Sequence, residues 1–121
     1  MGNTREKGAQ SEDLAVNYLL TQGYEILSRN WYYHHHEIDI VARKRGVVAI
    51  IEVKSLFSNH LQEPYQSVNK NKQRLIISAA NAYVTKYNIN DDVRFDIISI
   101  IRGKGDPKIE HIENAFYPLV R

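Results

Sequence analysis

Two segments, Glu37 to Arg43 and Val47 to Val53, flank the polar stretch Arg43-Lys44-Arg45-Gly46. The first alternates apolar and polar residues, and the second is a short apolar run. Both patterns read as strands, and a polar connection ending in glycine reads as a hairpin. This hairpin constrains the fold most, because side chains alternate along its strands with a period of two. Pairing through a two- or four-residue loop places Asp39 opposite Ile50 and Glu37 opposite Glu52, so Glu37, Asp39, Glu52 and Lys54 project from one face. A three-residue loop without a bulge would instead put the Asp and the Glu on opposite faces. Directly opposed carboxylates are unfavourable unless a cation or solvent separates them. A hard divalent ion held through carboxylate oxygens turns that repulsion into a site.

The flanking segments follow from the same periodicities. Leu14, Ala15, Tyr18, Leu19 and Leu20 recur at helical spacing between about Glu6 and Thr21, and Gly23 stands where such a helix stops. Tyr24 to Tyr33 is rich in aromatic and branched residues and predicts a further strand. Ser55 to Pro64 reads as a loop. Val68, Leu75, Ile76, Ala79, Ala80, Tyr83 and Val84 then predict a long helix over about Gln66 to Tyr87. Strands over Val93 to Ile101 and Lys108 to Ile112 are separated by the turn Gly103-Lys104-Gly105-Asp106-Pro107. The order α-β-β-β-α-β-β implies an α/β fold with a mixed β-sheet flanked by helices.

Composition sets the outer limits. With 121 residues and 16 Lys+Arg against 14 Asp+Glu, the chain is expected to form a single domain, 1–121, around one core. The absence of cysteine excludes disulfides, thiolate metal sites and a thiol nucleophile. Val47 to Ile51 is the longest apolar run, far short of the roughly 20 residues that span a bilayer. No membrane partner is therefore expected. Without a signal-peptide pattern in residues 1–20, the expected location is cytoplasmic. A net charge of +2 does not by itself imply a nucleic-acid partner.

On the first helix, Glu12 falls within the stripe of Ala9, Ala15, Val16, Leu19 and Leu20, which aims a carboxylate at the sheet. Left unpaired there it would be costly, so it needs a cation, a bound water or a proton, or else a place at the solvated helix end. Glu12 on a leading helix, then Asp39, then Glu52-Val53-Lys54 thirteen residues on, resembles the PD-(D/E)xK nuclease superfamily, which includes archaeal Holliday-junction resolvases. The resemblance extends to Gly23-Tyr24, Arg29-Asn30-Trp31, Glu37-Ile38-Asp39, Lys72-Gln73-Arg74, Arg94-Phe95-Asp96 and His111-Ile112 with Asn114-Ala115-Phe116. Together these look like the YraN family of small bacterial proteins. Three positions depart from that pattern: His36 stands where glycine is usual before Glu37, Ser11 where glycine precedes Glu12, and Leu56 where arginine follows Lys54. The last change removes a phosphate contact.

The resemblance implies a restriction-endonuclease-like three-layer fold and a Mg²⁺- or Mn²⁺-dependent nuclease acting on DNA ahead of RNA, with branched or structured DNA as a candidate substrate. Asp39 and Glu52, with the Val53 backbone carbonyl, would hold the metal. Lys54 would position water or stabilise developing charge, Glu12 would complete the catalytic set, and Glu37 and His36 would lie beside it. Lys70, Lys72, Gln73 and Arg74 at the start of the second helix are the candidate nucleic-acid contacts. The resemblance also admits a homodimer. The competing readings are a non-catalytic nucleic-acid-binding or accessory protein that keeps the fold, and a purely structural interaction domain. Among lesser features, His34-His35-His36 reads as a loop entering a strand and Trp31, Tyr32 and Tyr33 as packing groups. Arg94 and Asp96 read as a structural pair.

Overall fold

A computed structural model describes the backbone of residues 4–57 and 68–117 and the side chains of residues 8–57 and 68–117. The elements are α1 (Thr4–Thr21), β1 (Glu25–Tyr33), β2 (His36–Lys44), β3 (Val47–Phe57), α2 (Lys70–Lys86), β4 (Asp92–Arg102) and β5 (Lys108–Phe116). The strands form one five-stranded sheet in the order β1-β2-β3-β4-β5. Only β3 and β4, joined through α2, run parallel; the other neighbours are antiparallel. This is the mixed sheet expected from the element order, and its α/β architecture is restriction-endonuclease-like.

Each helix covers a separate apolar layer. Ile76, Ala79, Ala80 and Tyr83 of α2 pack with Ile38, Val41, Val48, Ile50 and Phe95. On the other side, Ala15 and Leu19 of α1 pack with Ile40, Ala42, Ala49, Ile51, Ile98 and Ile100. The buried line of α1 is thus Ser11, Ala15 and Leu19, whereas Ala9 and Leu20, assigned to the buried stripe from spacing, are exposed. Glu12 sits at the margin of that line with 15 % of its side chain exposed. Helix α1 ends in a Schellman motif: Gly23 adopts φ 90°, Gly23 N–H donates to the Leu20 carbonyl, and Tyr24 N–H donates to the Leu19 carbonyl. Helix α2 begins at Lys70, later than periodicity suggests, because Asn69 caps it by accepting the Lys72 N–H at 2.8 Å. Residues 66 and 67, and the part of the expected loop after Phe57, lie outside the described residues. Ser55 to Phe57, expected in that loop, continue β3.

The central hairpin differs from expectation in register. Lys44 pairs with Val47 and Ile40 with Ile51, a shift of two residues that takes Asp39 away from Ile50 and Glu37 away from Glu52. The cause is the turn. Arg45 and Gly46 have φ 50° and 77°, the two left-handed residues of a type I′ turn, and glycine accepts that conformation readily. A two-residue shift preserves which face each side chain occupies.

Strands β4 and β5 are clamped at a register shift between Phe95 and Ile97. Asp96, fully buried, accepts from Arg94 at 2.9 Å and from the Asn114 N–H at 3.1 Å, and lies 2.7 Å from His111 Nε2. Burial raises the Asp96 pKa, but His111 and Arg94 outweigh it and hold the group below the usual carboxylate range. The expected Arg94–Asp96 pair is therefore part of a larger structural network. Trp31 packs edge-on against Tyr83 with ring centres 5.1 Å apart, and Tyr33 stacks on Trp31, while Tyr32 faces outward.

Candidate metal centre

The β2–β3 ladder ends at the Ile40–Ile51 pair. One step further, the Asp39 carboxylate rather than a strand carbonyl takes the Val53 N–H, at 2.8 Å. Strand β2 loses its strict alternation at the same point: Ile38 belongs to the α2 layer and Ile40, two residues on, to the α1 layer. Neighbouring β1 shows the same break. Ser28 and Trp31, an odd number of residues apart, both touch Tyr83, and Asn30 between them adopts φ 52°, a conformation asparagine tolerates better than most residues. The sheet opens here, so groups from both helix layers reach a single cavity.

That cavity has a volume of about 410 Å³ and is lined by residues that include Ser11 and Glu12 of α1, His36, Glu37 and Asp39 of β2, Glu52 and Ser55 of β3, and Lys72 of α2. Carboxylate oxygens of Glu12, Glu37 and Asp39 all lie within 4.8 Å of one another. Glu52 is held differently: its Oε2 is 2.8 Å from Lys72 Nζ and 3.4 Å from Lys54 Nζ. Four carboxylates and two ammoniums thus form two adjoining groups, one of acids alone and one of mixed charge. A second cavity, between α2 and β4, is lined by Ile77, Ser78, Ala80, Asn81, Val84, Val93 and Phe95 and contains no titratable group.

The electrostatics reflect this crowding. Burial, Glu52, Glu12 and Glu37 push Asp39 up to about 8, against the stabilising Val53 N–H. Burial also raises Glu12, opposed by the Asn30 side chain and by the charge of Arg29 nearby. Lys54 is lowered by burial and by Lys72, against the attraction of Glu52. Burial works against Lys72 as well, yet its bond to Glu52 leaves it above the usual lysine range. Of the two lysines, Lys72 holds its proton more firmly. Burial lowers His36, whose Nε2 is enclosed without a hydrogen-bond partner.

The donor set fits a hard divalent ion: the clustered oxygens come from carboxylates, and none is further than 4.8 Å from another, within the span of one oxygen-coordinated ion. His36, whose Nε2 is enclosed without a hydrogen-bond partner, is among the residues that line the cavity. The three oxygens brought closest belong to Glu12, Glu37 and Asp39, whereas the resemblance assigned the ion to Asp39, Glu52 and the Val53 carbonyl. Glu37, expected only beside the site, is a full member of the cluster. Of the expected nucleic-acid contacts, Lys72 reaches the cavity. Gln73 instead bonds the Val68 carbonyl at 3.0 Å, and Lys70 and Arg74 are exposed on the first turns of α2.

Sequence reasoning missed three supports. Arg29 binds Asp13 at 2.8 Å and approaches Glu12 at 3.7 Å. Asn30 hydrogen-bonds Glu12. Arg102, at the end of β4, donates to Ser11 at 2.9 Å and to Ser55 at 3.2 Å. A turn-forming asparagine inside an aromatic strand was a readable sign for Asn30; the sequence carries none for Arg102.

An endonuclease-like sheet whose central ladder opens onto an acidic cavity defines the structural class. The chain belongs to the uncharacterised protein family UPF0102, the YraN family: the family profile matches residues 11–100. It is 40 % identical over 121 residues to a UPF0102 protein of Parabacteroides distasonis, covering all of both chains. A UPF0102 protein of Bacteroides fragilis is 43 % identical over 111 residues, 92 % of each chain. One from Thermodesulfovibrio yellowstonii is 44 % identical over 112 residues, 93 % of this chain and 96 % of the relative. No helix among the described residues is long and apolar enough to cross a membrane.

Proposed function

We propose that the protein is a divalent-metal-dependent nuclease that hydrolyses phosphodiester bonds in DNA. The observation that carries this reading is the convergence of Glu12, Glu37 and Asp39 oxygens within 4.8 Å in a cavity also lined by Glu52 and Lys72. Burial and the repulsion of the neighbouring acids together raise Asp39 to about 8. Glu12, Glu37 and Asp39 would hold Mg²⁺ or Mn²⁺, with Glu52 on the adjoining wall. When bound, the ion supplies charge neutralisation at the phosphate and a more acidic water.

The remaining work falls to the chain's own groups. Lys54, half-buried and bound to Glu52, presents one ammonium to the developing charge and orients the attacking water. Its lowered proton affinity eases proton exchange with that water without making it a strong base. Lys72 neutralises Glu52 in the ion-free protein and, with Lys70 and Arg74, places positive charge at the start of α2. Cations at a helix N-terminus oppose the helix dipole by about 0.3–1 kcal/mol each, a cost that a phosphate backbone reverses. Asn30 and Arg29 hold Glu12 in place.

The test pairs cation-binding calorimetry with a cleavage screen on branched, flapped, single-stranded and duplex DNA in Mg²⁺ or Mn²⁺. Wild-type protein is expected to bind cation and cut at least one substrate. Asp39→Asn should lose both properties, while Lys54→Met should keep cation binding and lose about 10²–10³ in rate. Cation binding with no cleavage of any substrate would instead support a non-catalytic nucleic-acid-binding or accessory role.

A further inference from the structure

Arg102 is anchored by neutral groups. Its Nε donates to Ser55 Oγ at 3.2 Å and its Nη2 to Ser11 Oγ at 2.9 Å, and no carboxylate among the described residues pairs with it. Both serines line the acidic cavity, and Ser11 is buried on α1. The other site arginine, Arg29, is neutralised by Asp13 and Glu12. Hydroxyls fix the Arg102 guanidinium without cancelling its charge, which leaves its other N–H donors for an acceptor. A planar, always-charged fork suits a phosphate better than it suits a water-exposed surface role.

Its position adds to the argument. Lys72 enters the cavity from the α2 layer, and Arg102 is tied to Ser11 in the α1 layer, so positive charge flanks the acidic cluster from both sides of the opened sheet. We propose that Arg102 is a phosphate-accepting group of this site, gripping the polynucleotide backbone on the α1 side of the cavity. The assignment rests on the nuclease reading above, since it needs a polyanion crossing the acidic centre. Ser11 and Ser55 are then positioning residues that act through Arg102.

The experiment measures binding of a fluorescein-labelled duplex oligonucleotide by anisotropy over a range of salt concentrations. Asp39→Asn serves as the parent so that no strand is cut. Adding Arg102→Gln should weaken binding about tenfold and reduce the magnitude of the log–log salt slope by about one, as expected when one phosphate contact is lost. In an otherwise wild-type chain the same substitution should leave Mn²⁺ affinity within about twofold, because Arg102 touches no acid of the cluster. Arg102→Lys retains the charge and loses the fork, so it should keep the salt slope while binding more weakly; this variant decides the matter if Arg102→Gln does not fold. An unchanged slope and affinity in Arg102→Gln, with the parent binding DNA, would overturn the Arg102 assignment and leave the metal centre untouched. Failure of both this parent and the wild-type chain, the latter in Mn²⁺, to bind DNA overturns the nucleic-acid reading, and the Arg102 assignment with it.

Discussion

Asp39 faces three other acids from a largely buried position, and its pKa of about 8 reflects that burial and repulsion. The unfolded chain releases this proton near 4, so between about pH 4 and pH 8 the folded state binds more protons than the unfolded state. The contribution of Asp39 to stability is therefore greatest at low pH, declines through that window and is flat above it. Asparagine keeps an acceptor for the Val53 N–H and removes the charge. In cation-free buffer, Asp39→Asn should melt higher than wild type, with an advantage that grows as pH rises and reaches about 1–2 kcal/mol, or on the order of 5 °C, near pH 8. A melting-temperature difference that does not vary with pH would contradict the titration. At this scale the sequence was informative for acids and lysines whose types already suggest chemistry. It was silent on Arg102, whose two hydroxyl partners lie 91 and 47 positions away along the chain.

The element scale is where the hairpin register went astray. Counting from a two- or four-residue loop closed the strands two residues early, because the count did not weigh which pair of residues accepts left-handed φ. Arg45 and Gly46 do, and their turn sets the register. A displacement by two would keep each side chain on its own face, but the break in β2 between Ile38 and Ile40 sets Glu37 and Asp39 with Glu12, while Glu52 stands with Lys54 and Lys72. Gly46 has open space around the position of a Cβ, so substitution there meets backbone strain and no clash. Gly46→Val should therefore cost about 1–2 kcal/mol, seen as a lower urea midpoint with an unchanged slope. Asn30 offered a sign of the break in β1, but the break at Asp39 was not legible, because periodicity describes each strand alone and this distortion arises where the β2–β3 ladder ends. Likewise, the spacing of α1 suggested Leu20 as a buried residue, whereas the sheet admits only the Ser11, Ala15 and Leu19 line.

Across the whole molecule, two apolar layers hold the sheet from opposite sides, and the acidic cavity is the place where they communicate. The order of elements and the mixed sheet were readable, since each follows from local periodicity and chain connectivity. The meeting of α1 and α2 groups was readable only through resemblance. Ligand that binds the folded state alone stabilises it by mass action. At a concentration about a hundredfold above the dissociation constant, Mn²⁺ should add about 2.7 kcal/mol and raise the melting temperature by several degrees. Chelation with EDTA should reverse the gain, and Asp39→Asn should not show it. The bond between the Asp39 carboxylate and the Val53 amide has a practical corollary for testing the proposed nuclease reading. Alanine at this position would strip strand β3 of a partner as well as the proposed centre of an acid, so any loss of the proposed cleavage in that variant would also report a damaged sheet; the amide side chain separates the two effects.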